Sequence, residues 1–227
     1  MSVHQETIKN LEARANIDPK IAVAYSGGKD SLAVMDLCVK TFPQVSAFFW
    51  YCAPDLEWCN QQMRFAKERW GIDVIQLPHW DMMMAMRDGE WCDATAAMEK
   101  VPDITLKEAY AWSMDLAEAK FCAAGMKDAD GLPRRQFFAN IRDSKDSVWR
   151  RLLFPIREWN KKDVLDYLAA NDIPIPVAEA GAVTTGVGLN HDSLCWLHDK
   201  HPEDFEKLLR WFPYAGSAVE RRKLYGV

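Results

Sequence analysis

The residues best suited to chemistry stand in one short turn, Ser26-Gly27-Gly28-Lys29-Asp30-Ser31. Two glycines allow the backbone to turn tightly and to approach an anion closely. The serine hydroxyls are hydrogen-bond donors, and the lysine adds a positive charge that suits phosphate oxygens. An apolar strand pattern precedes the turn, and residues 32–39 have the pattern of a helix whose N-terminal amides would face the same anion. The turn is therefore predicted to bind phosphate.

Two common phosphate-binding motifs do not fit this turn. A Walker A loop has the pattern Gly-x-x-x-x-Gly-Lys-Ser/Thr, whereas Asp30 follows Lys29 here. The Gly-x-Gly-x-x-Gly spacing of dinucleotide-binding folds is also missing. The turn instead matches the Ser-Gly-Gly-x-Asp-Ser signature, and so resembles the PP-loop ATP pyrophosphatases. That resemblance implies a loop that holds the pyrophosphate end of ATP while the α-phosphorus is attacked.

Three later segments extend the resemblance. Residues 140–144, Asn-Ile-Arg-Asp-Ser, stand where these proteins carry an arginine-containing turn after a strand. Residues 155–164 look like their Pro-Ile/Leu-x-x-Trp-x-x-x-Asp-Val segment, and Ile173-Pro174 is similar to their Asn-Ile-Pro element. In this order the segments resemble the phosphoadenosine phosphosulfate (PAPS) reductase family, whose branch includes the ATP sulfurylase small subunit and DNA phosphorothioation sulfur-transfer proteins. The resemblance implies an adenine nucleotide α-hydrolase-like fold.

The resemblance also implies roles for particular residues. Lys29 and Arg142 are candidate catalytic residues, because a lysine gives phosphate a point charge and a guanidinium can hold it bidentately. The alternative for Arg142 is a surface salt bridge. Asp30 is a candidate Mg²⁺ ligand through water, and the alternative role is an N-terminal helix cap. The nucleotide-binding candidates are Tyr25, Ser26, Gly27, Gly28, Lys29, Asp30, Ser31 and Arg142.

Cys195 is another candidate catalytic residue, within Leu194-Cys195-Trp196-Leu197-His198. The segment resembles in part the Glu-Cys-Gly-Leu-His of PAPS and APS reductases, whose cysteine attacks the sulfur of the sulfonucleotide. On a helix, His198 would share a face with Cys195 and favour its thiolate. Two alternatives stay open: an inert half-buried thiol, or a metal site formed with His191 and His198.

The elements around these residues predict an α/β protein. Alternating apolar strands and helices favour a three-layer sandwich around a mostly parallel five-stranded sheet with right-handed crossovers. The strands are predicted at 21–25, 45–51, 72–78, 136–141 and 152–156.

Two parts of the chain are expected. Residues 1–180 form the nucleotide-binding domain, with a Met- and Trp-rich helical insertion at about 79–131. Residues 181–227 form a C-terminal extension that carries Cys195. It starts with a glycine-rich loop and continues as helices broken at Pro202, with a last helix at 215–225.

Composition limits the environment of the protein. The chain is 49% hydrophobic and 27% charged, with no apolar run long enough to span a bilayer and no signal-peptide pattern at its start. A cytoplasmic location is therefore predicted for the protein. Its six cysteines include no Cys-x-x-Cys pair and are expected to be reduced thiols. The net charge of −5 gives no general attraction to nucleic acid. A concentration of cations at 134–151 either faces phosphates or forms a solvated basic surface.

Three functions are compared. The leading hypothesis is an ATP pyrophosphatase or adenylyltransferase that uses ATP and Mg²⁺, releases pyrophosphate and adenylates an oxyanion or other acceptor, with a link to sulfur metabolism or sulfur transfer. The second is a thiol-dependent PAPS or APS reductase that uses Cys195, although such reductases typically have a degraded loop. The third is an ATP-binding regulatory module that acts with a partner protein. The identities of the acceptor and the partner stay open. So do the oligomeric state and the question whether a nucleic acid is a substrate.

Overall fold

The strands of the computed structural model form one sheet in which every neighbouring pair is parallel. In chain order they are β1 Lys20–Ala24, β2 Gln44–Tyr51, β3 Val74–Pro78, β4 Phe121–Ala123 and β5 Leu152–Leu153. Their order across the sheet is β3-β2-β1-β4-β5. The chain builds the sheet in one direction from β1 to β3 and then continues on the other side of β1, so a topological switch point lies between β1 and β4.

Helices cover both faces of this sheet. The structure describes residues 3–96, 98–100, 104–175 and 188–226. Within those residues the α-helices are α1 Val3–Ala15, α2 Lys29–Thr41, α3 Glu57–Trp70, α4 Trp80–Asp88, α5 Leu106–Leu116, α6 Leu132–Arg142, α7 Lys161–Ala170, α8 His191–Lys200, α9 Pro202–Leu209 and α10 Gly216–Tyr225. A short 3-10 turn, Trp149–Arg151, precedes β5.

The central strand β1 shows why helices must cover both faces of the sheet. Ile21 and Val23 belong to a hydrophobic cluster that includes α2, whereas Ala22, between them, belongs to a separate cluster with α5. Successive side chains of a strand point to opposite faces, so a continuous apolar run buries both faces. The predicted three-layer α/β sandwich is therefore confirmed, and its sheet is parallel throughout.

One predicted strand is wrong. Residues 136–141 lie in α6, which starts after Gly131 with a proline in its first turn. Phe137, Phe138 and Ile141 are spaced to share one side of a helix, and such a short apolar run also fits a strand. The missing strand is β4, which lies inside the 79–131 segment predicted as a helical insertion. It has only three residues, too few for a recognisable alternation.

The other four predicted strands are present, although β3 begins only at Val74 and β5 ends at Leu153. Asn160 caps α7 by accepting hydrogen bonds from the amides of Lys162 and Asp163. Gly71 ends α3 in a left-handed conformation. The C-terminal helices α8 and α9 separate just before Pro202, and α10 follows. Of the glycine-rich loop predicted at 181–188, only Gly188 lies among the described residues.

Asp204 of α9 holds the C-terminal helices against the sheet domain. Its carboxylate, which is 2% exposed, accepts hydrogen bonds from the amides of Glu57, at 2.7 Å, and Trp58, at 2.8 Å, in the first turn of α3. These amides have no acceptor within their own helix, and the helix dipole favours an anion there. Trp58 also packs edge-on against Trp196 of α8. The C-terminal helices therefore continue the fold rather than forming a loose extension.

The substitution Asp204→Ala should lower the free energy of unfolding by about 2 kcal/mol, because two charge-assisted hydrogen bonds at a helix start are lost together. Denaturant unfolding measures this as a lower midpoint at unchanged slope. Asp204→Asn keeps one acceptor oxygen and should show a smaller loss. Equal stability of all three proteins would show that α9 does not depend on this contact.

Within the described residues, no helix is both long and apolar enough to cross a membrane.

Candidate functional site

A cleft of about 720 Å³ opens at the carboxyl ends of the strands, beside the switch point between β1 and β4. Ligands of open parallel sheets bind at this position. Its walls come from the ends of four strands and from α5, α6 and a residue near the start of α8. The lining residues include Tyr25, Ser26, Gly28, Lys29, Asp30, Ser31, Trp50, Cys52, His79, Trp80, Tyr110, Gly125, Arg134 and Gly188.

The Ser26-to-Ser31 turn is braced by its own serines. The Ser31 hydroxyl donates to the Gly28 carbonyl at 2.9 Å and accepts from the Ser26 amide at 3.2 Å. The Ser26 hydroxyl donates to the Ser31 hydroxyl at 3.2 Å. Ser31 is buried and Ser26 is exposed, so Ser31 fixes the shape of the turn while Ser26 faces the solvent. Hydrogen bonds within the turn therefore hold its shape.

The structure explains why both Gly27 and Gly28 of the turn are glycines. Gly27 has φ 77°, and a Cβ there would lie 2.7 Å from the Cβ of Gln62 on α3. Gly28 is the N-cap residue of α2 and has no side chain to cap that helix. The first turn of α2 therefore directs the positive end of its helix dipole at the cleft, with no side-chain cap in between. Tyr25 supports the turn from behind: its side chain is 1% exposed, and its hydroxyl donates to the Gln62 carbonyl at 3.2 Å.

A buried lysine joins this turn to the segment after β4. The Lys127 ammonium, on a side chain that is 3% exposed, lies 2.7 Å from Asp30 Oδ2 and 2.8 Å from Asp130 Oδ1. Lys29 Nζ lies 3.1 Å from the same Asp30 oxygen. Gly125 approaches so closely that a Cβ there would lie 2.9 Å from the Asp30 carbonyl carbon. Two cations thus converge on one carboxylate at the floor of the cleft.

The other oxygen of Asp30 has no such partner. Asp30 Oδ1 is buried and accepts no hydrogen bond within the described residues. A buried carboxylate oxygen without a partner is costly, because it has lost its water and gained nothing in return. It is therefore an available ligand position for a cation or a donor brought by a substrate.

Arg134, rather than Arg142, reaches the cleft. Arg134 is in the first turn of α6 and lines the cleft, whereas Arg142 is exposed at the far end of that helix and is not among the lining residues. The sequence predicted the arginine directly after a strand, at Arg142. Because residues 132–142 form a helix instead, the start of this segment, with Arg134, lines the cleft. The Gly131-Leu132-Pro133 helix start was the available signal for Arg134. Lys127 carried no comparable motif.

Aromatic rings form a second wall of the cleft. Trp50, at the end of β2, packs against Tyr110 with ring centroids 5.8 Å apart and against Trp80 at 6.1 Å. His79 and Trp80 rings lie 3.7 Å apart. Burial lowers the pKa of His79, and its Nδ1 accepts from the Asp81 amide, which places the ring proton of the neutral form on Nε2. The aromatic faces of this wall suit a flat group such as a nucleobase.

Cys195 lies outside the cleft. It is 3% exposed, and its sulfur donates to the Ala218 carbonyl of α10 at 3.7 Å. Burial raises the pKa of the thiol, so the thiolate is disfavoured. The predicted pairing with His198 is not formed: the sulfur instead lies 3.9 Å from His191 Nε2. The described residues contain no group of three or more His, Cys, Asp or Glu side chains arranged for a metal.

The family assignment follows from a match over most of this fold. A family model described as "Phosphoadenosine phosphosulfate reductase domain" matches residues 20–186. The chain belongs to this family. The matched part of this PAPS reductase-family protein contains all five strands, the Ser26-to-Ser31 turn, Lys127 and Arg134. A comparison with curated proteins gives no match.

Solved structures share the fold of this PAPS reductase-family chain at low sequence identity. A U34-tRNA thiolase, NcsA, from Methanococcus maripaludis, solved with its [4Fe-4S] cluster, is 14% identical with a TM-score of 0.52, over 96% of this chain and 79% of its own. An NH3-dependent NAD synthetase from Campylobacter jejuni, in complex with nitrate, is 10% identical with a TM-score of 0.51, over 99% and 95%. A PAPS reductase from Candida auris is 14% identical, over 76% of this chain and 81% of its own, with a TM-score of 0.46. The expected adenine nucleotide α-hydrolase-like fold is confirmed, and these similar proteins are enzymes.

Proposed function

We propose that this PAPS reductase-family protein binds ATP in the cleft and cleaves it between the α- and β-phosphates, with transfer of the adenylyl group to an acceptor. The observation that best supports this proposal is the hydrogen-bonded turn from Ser26 to Ser31. It presents the first turn of α2 and the Lys29 ammonium to the cleft. An intact turn of this kind suits the β- and γ-phosphates of ATP. A sulfonucleotide has no such pyrophosphate end to hold.

The cleft offers a place for each part of the nucleotide. The pyrophosphate end lies on the first-turn amides of α2, with Lys29 as a point charge and Arg134 as a guanidinium from the opposite wall. The adenine lies against the aromatic wall formed by Trp50 and Trp80. The α-phosphate is then central, between the turn and the segment that follows β4.

Mg²⁺ fits this arrangement through Asp30. Its buried Oδ1 has no hydrogen-bond partner among the described residues, and Mg²⁺ commonly uses one or two carboxylates together with water and substrate phosphates. When bound, the ion supplies positive charge to the phosphate oxygens. Lys127 would hold Asp30 in position through the other oxygen, Oδ2.

The reaction needs no protein nucleophile. An oxygen of the acceptor forms a bond to the α-phosphorus while the bond from that phosphorus to the bridging oxygen of the β-phosphate breaks, and the electron pair leaves with pyrophosphate. Lys29, Arg134 and the α2 amides stabilise the charge that accumulates on the leaving group. The chain's contribution is therefore positioning and electrostatic stabilisation.

The reductase alternative finds no support at Cys195, which is buried, has a thiol pKa raised by that burial and lies outside the cleft lining. We accordingly propose ATP cleavage for this protein, with a link to sulfur transfer proposed from its family and a cytoplasmic location proposed from its composition.

Purified protein with ATP, Mg²⁺ and candidate oxyanions such as sulfate should release pyrophosphate, and a coupled pyrophosphate assay measures the rate. Lys29→Met should lower the rate by about 100-fold, because one charge on the leaving group is lost. Cys195→Ser should keep the rate within about twofold, since a buried thiol outside the cleft makes no transition-state contact.

Two results would contradict the proposal. ATP binding without pyrophosphate release for any acceptor would favour the ATP-binding regulatory module. If Cys195→Ser loses the activity while circular dichroism shows an intact fold, the result would support a thiol-dependent reaction instead.

A further inference from the structure

A basic surface extends from α6 to the 3-10 turn before β5. We call it the α6 basic surface, and its cations are Arg134, Arg135, Arg142, Lys145, Arg150 and Arg151. The same stretch contains two carboxylates, Asp143 and Asp146, and Asp146 is paired with Lys107 of α5 at 2.8 Å. This concentration of positive charge stands out in a chain whose net charge is −5.

The cations of the α6 basic surface have no acidic partners in the described part of the chain. None of the six forms a salt bridge there, whereas the neighbouring cations Lys107, Lys127 and Arg157 each do. All but Arg151 are exposed. Six cations against Asp143, a carboxylate without a salt bridge in the described residues, leave this stretch with an excess of positive charge.

Packing holds the two ends of this surface on one rigid body. The ring of Phe137 on α6 lies 5.6 Å from the ring of Trp149 in the 3-10 turn and 6.1 Å from that of Phe154. Beneath them, the Arg157 guanidinium lies 4.3 Å from the centre of the Phe138 ring and pairs with Asp128. α6, a helix about 16 Å long, and the 3-10 turn are thus held against each other.

The α6 basic surface leads into the cleft. Arg134 lines the cleft, and Arg135 is the next residue on the same helix. Arg134 is therefore the point at which the α6 basic surface meets the cleft. A small anion would engage one or two of these cations, whereas a polyanion with regularly spaced phosphates would engage several.

We propose that the α6 basic surface binds the phosphate backbone of a nucleic acid strand, which brings the acceptor group to the cleft. Five of its six cations are arginines, whose planar guanidinium suits phosphate bidentately. The attraction is local, because the net charge of the protein is negative. This inference rests on the proposed function for the acceptor's role, but the binding itself is independent of ATP cleavage.

The test measures binding of a short fluorescent single-stranded oligonucleotide, made as RNA and as DNA, by anisotropy at a series of salt concentrations. The triple variant Arg135→Glu/Lys145→Glu/Arg150→Glu reverses three exposed charges outside the cleft lining. The matched control Lys9→Glu/Lys161→Glu/Arg210→Glu makes the same change in net charge at exposed positions on other elements. Titration with ATP alone, by calorimetry, reports separately on the cleft.

The wild type and the control should bind at least one of the two oligonucleotides. The surface variant should lose at least about tenfold in affinity, with a log–log salt slope shallower by about two, as expected for three lost contacts to single-stranded phosphates. ATP affinity should be unchanged in both variants. The inference is overturned if the wild type binds neither strand, if the surface variant binds like wild type, or if the control loses as much. Failure of pyrophosphate release alone would instead affect only the proposed function.

Discussion

The substitution Gly27→Ala should abolish ATP binding and lower the free energy of unfolding by about 3 kcal/mol. Gly27 has φ 77°, a conformation in which a Cβ costs about 1–2 kcal/mol. The added Cβ would also lie 2.7 Å from the Cβ and Cγ of Gln62, which α3 holds beside the turn. Relief of that overlap must shift the turn, and with it the first-turn amides of α2 that are proposed to hold pyrophosphate.

A matched substitution separates the two causes. Gly71→Ala has nearly the same φ, 71°, but a Cβ there meets no atom within 4 Å. It should cost only about 1 kcal/mol and leave ATP binding unchanged. Denaturant unfolding and calorimetric titration with ATP measure both effects. If the two variants are equally destabilised and Gly27→Ala still binds ATP, the contact with Gln62 does not determine the shape of the turn.

The part of the site that could be predicted from the sequence is the part built by neighbouring residues. β1, the turn and α2 follow one another directly, so apolar continuity, glycine spacing and helix periodicity are all visible along one short stretch. The caps at Asn160 and Gly71 were predictable for the same reason, since a cap acts on the amides or carbonyls of its own helix. The residues of this stretch line the cleft, and their role in phosphate binding stays a prediction.

The rest of the site depends on topology. β4 is paired with β1 although α5 and much of the 79–131 segment separate them in sequence, so Lys127 meets Asp30 only in the folded sheet. A strand of three residues gives no periodic signal, whereas the apolar run at 136–141 resembled a strand that ends just before Arg142. The misassignment of 136–141 had the same root, because Phe137 and Phe138 are compatible with either a strand or a buried helix side.

Cys195 shows a different limit of prediction from sequence. Part of a reductase motif is present, but the surroundings that would make the thiol reactive are not. A Cys-x-x-His spacing suggests a shared helix side, but the side chain is directed by packing against α10. Its sulfur lies beside His191, while His198 pairs with Asp199 and packs against Phe205. Reactivity of a thiol depends on exposure and neighbouring charge, which the spacing of residues does not specify.

The substitution Lys127→Met should lower pyrophosphate release by at least about 100-fold and the free energy of unfolding by about 2 kcal/mol. It removes the ammonium that holds Asp30 and Asp130 together and leaves Asp30 Oδ2 with Lys29 alone. Removal of one partner from a buried ion pair costs about 3–5 kcal/mol, and the partial exposure of both carboxylates reduces that figure. The kinetic loss is larger because a small displacement of the turn misplaces the leaving group.

Lys107→Met is the control for this prediction. Lys107 pairs with Asp146 at 2.8 Å, a distance close to that of Lys127 and Asp30, but its side chain is 41% exposed against 3% for Lys127. It should therefore change stability by less than about 1 kcal/mol and leave the rate unaltered. A double-mutant cycle of Lys127→Met with Asp30→Asn should give a coupling free energy of about 1–3 kcal/mol in unfolding. A coupling near zero, or equal effects of the two lysine substitutions, would mean that burial does not strengthen this contact and that Lys127 does not position the turn.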